Sequence, residues 1–216
     1  MNGGTFHSDA SGGTDSQIPG LRRVAWSVNK PKATPEGKLV PEATMSGDMG
    51  DPQHRQTVPR GGLRAVVELV ENVPPDKPLY IGCDNKNTVD GTKHPRSEKW
   101  ANVDLWRRYW KAVRARTAAI EVYKVDARVD EITLWAGTIP YHDYAGNTYA
   151  DAYAKAMALR VQAHGAQRAL WRLTYKLGFQ VMTRLLIAAQ RAITADQREL
   201  HKTLRRKAKE KRARTA

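Results

Sequence analysis

Short apolar strands alternate with helical segments over the first 160 residues, and this alternation limits the fold more than any other feature. Residues 79–83 form an apolar run that ends at an aspartate, and residues 120–125 form a second strand-like run. Residues 63–70 and 103–116 carry apolar side chains at helical spacing. Strands separated by helices predict an α/β domain with a partly parallel sheet.

The chain is strongly basic, and most of the excess charge lies at one end. Residues 1–160 carry 22 Lys or Arg and 19 acidic residues, a net charge of +3, whereas residues 161–216 carry 14 against three, a net charge of +11. Such an excess favours a polyanionic partner. We therefore predict a globular domain over residues 1–160 and a C-terminal basic helical extension over residues 161–216.

The extension has an apolar stripe at helical spacing, which predicts long helices that break near Gly165 and Gly178. The basic run over residues 204–214 could contact nucleic acid, act as a nuclear address or form a solvated helix end. Binding of a basic amphipathic helix to an anionic membrane is a further alternative, but nothing else in the sequence favours it.

Several protein classes are excluded by composition. A single cysteine, Cys83, excludes an internal disulfide framework and a cysteine-based zinc cluster. No apolar stretch approaches the roughly 18 residues of a membrane span. The first residues have neither a basic start nor an apolar run, so we expect no secretory signal and an intracellular protein, and the basic C-terminal run leaves a nuclear location open.

Three aspartates stand where ligands gather in α/β proteins, at strand ends and in the first turns of helices. Asp9 closes the first strand-like segment, Asp84 follows the apolar run over residues 79–83, and Asp151 lies early in an alanine-rich helix predicted over residues 149–161. Converging carboxylates repel one another, and a hard divalent cation relieves that repulsion. Each aspartate alone could equally be a cap or a turn residue.

Four short motifs surround these aspartates in a fixed order. They read FHSDASG at residues 6–12, YIGCDN at 80–85, NVDLW at 102–106 and GNTYAD at 146–151. In this order and spacing they resemble the motifs of type 1 ribonuclease H, including the domain attached to retroelement reverse transcriptases. The resemblance implies a three-layer fold in which helices flank a five-stranded mixed sheet. The central strand would carry Asp9, and the adjacent parallel strand would lead to Asp84.

The resemblance also implies a chemistry. The domain would cut the RNA strand of an RNA–DNA hybrid, with Asp9, Asp84 and Asp151 as catalytic residues and as ligands of Mg²⁺ or Mn²⁺. Asp9 would bridge two ions, which lie about 4 Å apart in such sites. We therefore expect the three carboxylates to converge within about 8 Å of one another.

Two positions depart from the family pattern. Gly62 occupies the place of a catalytic glutamate at the start of the first helix. Glu68 and Glu71 are not suitable substitutes, since one points to another side of the helix and the other lies roughly 14 Å along its axis. Arg128 takes the place of a family histidine that assists product release or proton transfer. His142 could partly replace that histidine or could be an ordinary loop residue.

A basic segment between the second and third motifs corresponds to the protrusion that grips the DNA strand in the family. The residues that we expect to bind nucleic acid there and beside the motifs are Lys93, Arg96, Lys99, Trp100, Asn85 and Asn147. Contacts of basic side chains with phosphates position a duplex and carry little sequence information. The alternative is a solvated surface loop with Trp100 packed against the core.

Two hypotheses about function remain open. One is a Mg²⁺-dependent endonuclease that cuts RNA in RNA–DNA hybrids. The other is a catalytically impaired ribonuclease H-like module that still binds nucleic acid, because Gly62 replaces the family glutamate. Transposases, integrases and Holliday-junction resolvases share the fold but usually lack motifs like NVDLW and GNTYAD, so they are less favoured. A purely structural protein is the least favoured alternative.

Overall fold

The computed structural model describes residues 2–18, 20–50, 56–95, 101–127, 129 and 131–215. The chain divides into two compact units, Met1–Ala163 and His164–Ala216. The first unit contains all five strands and five helices of the described residues, and the second contains one long helix.

One mixed sheet forms the centre of the first unit. Its strands are β1 (Gly4–Ser11), β2 (Ala25–Ala33), β3 (Leu39–Asp48), β4 (Leu79–Cys83) and β5 (Ile120–Lys124). They lie in the order β3-β2-β1-β4-β5, with β1, β2 and β3 antiparallel and with β4 and β5 parallel to β1 and to each other. The five-stranded mixed sheet and its central first strand are therefore confirmed.

Helices cover the sheet, as predicted. They are α1 (Val58–Asn72), α2 (Lys86–Thr92), α3 (Val103–Arg114), α4 (Glu131–Trp135) and α5 (Tyr141–Arg160). The apolar side of α1 joins Phe6, Val28 and Ile81 in the main core cluster. Neighbouring strand residues on the other face turn towards α5, where His7 bonds to Asp143 and Ser27 bonds to the backbone of Ala150. Alternation along the strands thus produces three layers.

The last helix of this unit is longer than its sequence pattern predicts. We expected it to begin at residue 149, but α5 begins at Tyr141, directly after Pro140. Gly146 therefore lies inside the helix, and Asp151 is in its third turn, so the expected place of Asp151 near the helix start is wrong. The short helices α2 and α4 were not predicted, because they carry too few residues for a periodic signal.

The second unit consists of α6, a helix of 51 residues over Gly165–Thr215. It runs through Gly178 without interruption, so the break predicted there is absent, whereas the one near Gly165 coincides with the helix start. Many of its large apolar side chains are exposed, among them Leu170, Leu173, Leu177, Val181 and Leu185. No helix in the described part of the chain is long and apolar enough to cross a membrane.

Candidate active site

The three predicted aspartates line one cavity of the first unit. Asp9, Asp84 and Asp151 line a cavity of about 520 Å³, together with residues that follow β4 and β5 and residues of α5. The cavity therefore collects carboxylates from three segments that are far apart in the sequence. Its remaining lining residues are Ala10, Val58, Asn85, Asp126, Ala127, Val129, Tyr144, Asn147, Thr148 and Lys155.

The register of the parallel strands brings Asp9 and Asp84 side by side. Ser8 of β1 pairs with Cys83, the last residue of β4, and the residues that follow them are Asp9 and Asp84. Both apolar strands are buried, since Phe6, Ile81 and Cys83 are at most 1% exposed. Strands fixed by buried side chains cannot slip by one residue without turning those side chains to the other face. The core therefore sets the position of both carboxylates.

The third aspartate is held by the docking of α5 on the sheet. The hydroxyl of Ser27 donates to the carbonyl oxygen of Ala150, the residue before Asp151, over 2.5 Å. The hydroxyl of Tyr149 donates to the carbonyl oxygen of Leu39 over 2.8 Å. Small residues let the helix approach the strands closely, and the buried alanines of α5 are Ala145, Ala150, Ala154 and Ala158.

Burial and mutual repulsion shift the acidity of the first two aspartates. Burial, followed by the charges of Asp84 and Asp151, raises the pKa of Asp9 to about 7. Burial also raises the pKa of Asp84, with Asp151 adding to the rise and Lys124 opposing it. Carboxyl groups with raised pKa values that share a cavity are typical of functional sites.

A lysine lies among these carboxylates. The Lys155 ammonium is 2.6 Å from the Asp151 carboxylate, one helical turn away in α5. It also lowers the pKa of Asp9, against the larger effects of burial and Asp84. Lys155 thus supplies positive charge where a metal-binding site would need open carboxylate oxygens.

Sequence reasoning missed one further carboxylate in the cavity. Asp126 lies two residues beyond the end of β5 and lines the same cavity as Asp84, although its side chain is largely exposed. Its position follows from the parallel pairing of Cys83 with Lys124, which brings the ends of β4 and β5 to the same edge. A single aspartate after a strand is common in loops, so the sequence alone does not distinguish it.

Gly62 lies in the first turns of α1, as the motif comparison predicts, and it has room for a side chain. Among the described residues outside α1, a Cβ atom at Gly62 would meet only Asn85, with Nδ2 at 3.7 Å and Cβ at 3.9 Å, which are ordinary contact distances. Asn85 lines the cavity, so a longer side chain at position 62 would begin beside it. The neighbouring Gly61 has no such room, because its Cβ would lie 2.6 Å from Val24 and 2.8 Å from Ala10.

The NVDLW segment braces α1 beside the cavity. Asn102 adopts a left-handed conformation with φ of 67°, and its side-chain oxygen accepts a bond of 3.2 Å from the buried Arg60. Arg60 also donates two hydrogen bonds to Asp104, which hold the pKa of that carboxyl below its usual range. The signature thus ties the start of α3 to Arg60 in the first turn of α1, two residues before Gly62.

The other predicted site residues are spread around this region. Asn85 caps α2 by accepting a bond from the Thr88 amide and lines the cavity, and Asn147 lines it from α5. Lys93 is exposed at the end of α2. His142 does not line the cavity but lies against His7 and Asp143, so its auxiliary role stays a prediction. The predictions for Arg96, Lys99, Trp100 and Arg128 fall outside the described residues.

The donor types in the cavity fit a hard divalent cation, although no three of its carboxylates lie within 4.8 Å of one another in the described part of the chain. Four aspartates offer carboxylate oxygens, and the side-chain oxygen of Asn147 is buried without a hydrogen-bond partner in the part of the chain that the structure describes. Carboxylate and amide oxygens are the ligands that such cations take in proteins.

Comparison with known proteins gives a consistent result at the level of the fold. No family model and no curated protein sequence matches the chain. The structure is similar to that of LC9-RNase H1, a type 1 ribonuclease H with the type 2 active-site motif, with a TM-score of 0.53 and 20% identity over 74% of each chain. The chain has a ribonuclease H-like fold. The foamy viral protease-reverse transcriptase in complex with an RNA/DNA hybrid is similar as well, with a TM-score of 0.51 and 12% identity, over 73% of this chain but only 20% of that one.

Within the ribonuclease H-like domain, the cavity stands at the carboxyl ends of β1 and β4. In open α/β sheets ligands bind outside these strand ends. The fold alone does not assign an activity, which depends on the residues at the site.

Proposed function

We propose that the ribonuclease H-like domain cleaves the RNA strand of RNA–DNA hybrids by metal-dependent hydrolysis. The observation that carries the proposal is that Asp9, Asp84 and Asp151 line one cavity. Packing does not explain three carboxylates in one place, because burial and their mutual charge disfavour ionisation of Asp9 and Asp84. A cation bound among these carboxylates would favour their ionised forms.

In this proposal Asp9, Asp84 and Asp151 would hold Mg²⁺ or Mn²⁺, and the bound ions would activate water and stabilise the leaving 3′-oxygen. Two side chains of the cavity have to change before they can serve such a site. Asp9, whose pKa is about 7 in the metal-free site, has to give up its proton when a cation binds. Lys155 has to release Asp151, to which it is paired over 2.6 Å. Asn147 contributes a neutral oxygen at the cavity wall.

Substrate binding would use the surface around the cavity. Hybrids and other A-like duplexes are read by shape, phosphates and 2′-hydroxyl groups, mostly without base recognition. Asn85 and Asn147 offer amide groups at the cavity, and Lys93 offers an exposed cation at the end of α2. We therefore expect little sequence preference.

The second candidate is a module that binds nucleic acid without cutting it. Two observations favour it. Gly62 supplies no carboxylate where the family has a glutamate, and the Asp151 carboxylate is paired with Lys155. Binding tolerates such changes, whereas catalysis requires groups held to within a fraction of an ångström.

A cleavage assay with the full chain separates the two. The substrate is an RNA–DNA hybrid labelled on the RNA strand, incubated with Mg²⁺ or Mn²⁺, with the single-stranded RNA as a second substrate. The nuclease is supported if the chain cleaves the hybrid, if Asp84→Asn abolishes this cleavage, and if Asp76→Asn, at an exposed loop position, still cleaves. Binding of the hybrid without cleavage under either metal supports the module. Absence of both binding and cleavage overturns both.

A further inference from the structure

A second cluster of potential metal ligands lies in the ribonuclease H-like domain. One atom each from His7, His142 and Asp143 lies within 4.8 Å of the others, and no other group of His, Cys, Asp or Glu among the described residues is so compact. None of the three lines the aspartate cavity. The cluster therefore needs an explanation of its own.

His7 is an unusual residue for the centre of a sheet. Its side chain is 0% exposed, in β1, and its Nε2 atom lies 2.9 Å from Oδ1 of Asp143. Its other ring nitrogen, Nδ1, is buried and has no hydrogen-bond partner within the described parts of the chain. A buried polar atom without a partner destabilises the folded state. An apolar residue would fill this position at lower cost, so packing alone does not account for an imidazole.

Two glycines make room for the His7 ring. A Cβ atom at Gly146 of α5 would lie 2.0 Å from Nδ1, and one at Gly82 of β4 would lie 2.7 Å from Cδ2. Any larger residue at either position would displace the ring. The strand, its neighbour and the helix are thus shaped around this imidazole.

The carboxylate of the cluster is oriented by a neighbour. The Tyr123 hydroxyl in β5 donates to Oδ1 of Asp143 over 2.8 Å. Hydrogen bonds of this kind fix the direction of ligating side chains in metal sites. The His142 ring completes the group from the first turn of α5, with Nδ1 3.9 Å from Oδ1 of Asp143 and its centroid 5.2 Å from that of His7.

Two imidazoles and one carboxylate form a ligand set typical of zinc and of neighbouring transition metals, whereas Mg²⁺ prefers oxygen ligands alone. In a tetrahedral zinc site, bonds of about 2.0–2.1 Å hold ligand atoms about 3.3 Å apart. Oδ1 of Asp143 lies 2.9 Å from Nε2 of His7 and 3.9 Å from Nδ1 of His142, and these two distances lie on either side of that value. Small side-chain shifts would therefore close the site, with His142 and its partly exposed side chain on the solvent side.

We propose that His7, His142 and Asp143 form a zinc site that fixes the start of α5 to β1. Water occupies the fourth position, on the side of His142. On binding, the proton of His7 Nε2 moves to Nδ1, so that Nε2 can ligate the ion. This site is separate from the aspartate cavity, and it stands whether or not the domain cuts RNA.

The test uses the full chain after metal removal. Zn²⁺ is titrated in competition with a chromophoric chelator, and Co²⁺ is titrated as a spectroscopic probe, since four-coordinate cobalt absorbs visible light far more strongly than six-coordinate cobalt. We expect one Zn²⁺ per chain and a strong cobalt band. His142→Ala and Asp143→Asn should remove both. Tyr123→Phe should weaken zinc binding by roughly 10–100-fold and leave the stoichiometry unchanged.

Three controls make the result decisive. His201→Ala, at an exposed histidine of α6, should bind zinc as the original chain does, and Asp84→Asn should as well, because it affects only the aspartate cavity. His142 is partly exposed, so His142→Ala should fold, and circular dichroism checks this. The proposal is overturned if the chain binds no zinc, if folded His142→Ala and Asp143→Asn bind it as before, or if Asp84→Asn abolishes the cobalt band.

Discussion

The Lys155 ammonium lies 2.6 Å from the Asp151 carboxylate, at the wall of a cavity that Asp9 and Asp84 also line. A cation that is part of the chain thus stands where the proposed function requires a metal ion. Both members of the pair are in α5, four residues apart, so the pair forms without help from the rest of the fold. Its effect on metal binding can be measured separately from its effect on stability.

We predict that Lys155→Met strengthens Mn²⁺ binding by roughly 3–10-fold, because the loss of one nearby positive charge frees the Asp151 oxygens. Stability should change by less than about 0.5 kcal/mol, since the pair is partly exposed. Isothermal titration calorimetry measures the first effect and urea denaturation the second. Lys202→Met, which removes the 2.7 Å ion pair with Glu199 in α6, is the matched control and should leave Mn²⁺ affinity unchanged. Equal or weaker Mn²⁺ binding by Lys155→Met would contradict the prediction.

A second prediction concerns the missing glutamate. Gly62→Glu should raise the rate of hybrid cleavage at least about tenfold, since it adds a carboxylate beside a cavity that four aspartates already line. The substitution is sterically open, since Asn85, at 3.7 Å and 3.9 Å, is the one contact of a new Cβ among the described residues outside α1. Gly62→Gln has the same shape without the charge and serves as control. If both variants cleave at the same rate, the added carboxylate is not a ligand.

Replacing each of the two adjacent glycines of α1 with alanine should change the free energy of unfolding in opposite directions. Gly61→Ala should destabilise the fold by about 1–3 kcal/mol, because the new methyl group would lie 2.6 Å from Val24 and 2.8 Å from Ala10. Gly62→Ala should stabilise it by about 0.5–1 kcal/mol, since alanine is the better helix former and meets no clash. Urea denaturation of the two variants gives both values. A destabilised Gly62→Ala would show that this position is more crowded than its contacts indicate.

The sequence predicted those parts of the fold that repeat a pattern. The strand-like segment before Asp9 and the apolar run before Asp84 identified two buried strands, and the pairing of these strands aligned the two aspartates. Sequence reasoning failed at the start of α5, where Gly146 and Asn147 resemble a turn. Position 146 lies inside the helix and is nevertheless a glycine, because His7, 139 positions earlier, occupies the space that a side chain would fill.

The site features that sequence reasoning missed depend on contacts between residues that are distant in the chain. His7 and Asp143 are separated by 136 positions, and neither belongs to a spacing motif for metals. Asp126 and Lys155 are single polar residues with no periodic signal, and only the folded chain brings them to the cavity. Motifs therefore located the aspartates but could not indicate which charges surround them.

The basic end of α6 should contribute to nucleic-acid affinity in a way that depends on salt. Residues 161–216 carry a net charge of +11, and each phosphate neutralised on duplex DNA adds about −0.9 to the slope of log affinity against log salt. Replacing Arg205, Arg206 and Lys207 with Gln should flatten this slope by roughly two to three units. Fluorescence anisotropy between low and moderate salt measures it. An unchanged slope would show that this part of α6 does not contact phosphates.

The acidity of Asp9 gives the last prediction, which concerns stability without divalent metal. Burial, with the charges of Asp84 and Asp151, raises the folded-state pKa of Asp9 from 3.8 to about 7. The folded chain thus holds a proton that the unfolded chain releases, so this residue costs stability increasingly from about pH 4 to pH 7, and the cost is complete above that range. Asp9→Asn cannot ionise and keeps an acceptor for the Ala10 amide. Its advantage in the free energy of unfolding should therefore grow with pH and reach roughly 2–4 kcal/mol at pH 8. Urea denaturation in EDTA at pH 4 and pH 8 measures the difference, with Asp76→Asn at an exposed loop position as control. A difference between Asp9→Asn and the original chain that is the same at both pH values would show that folding does not raise the pKa of Asp9.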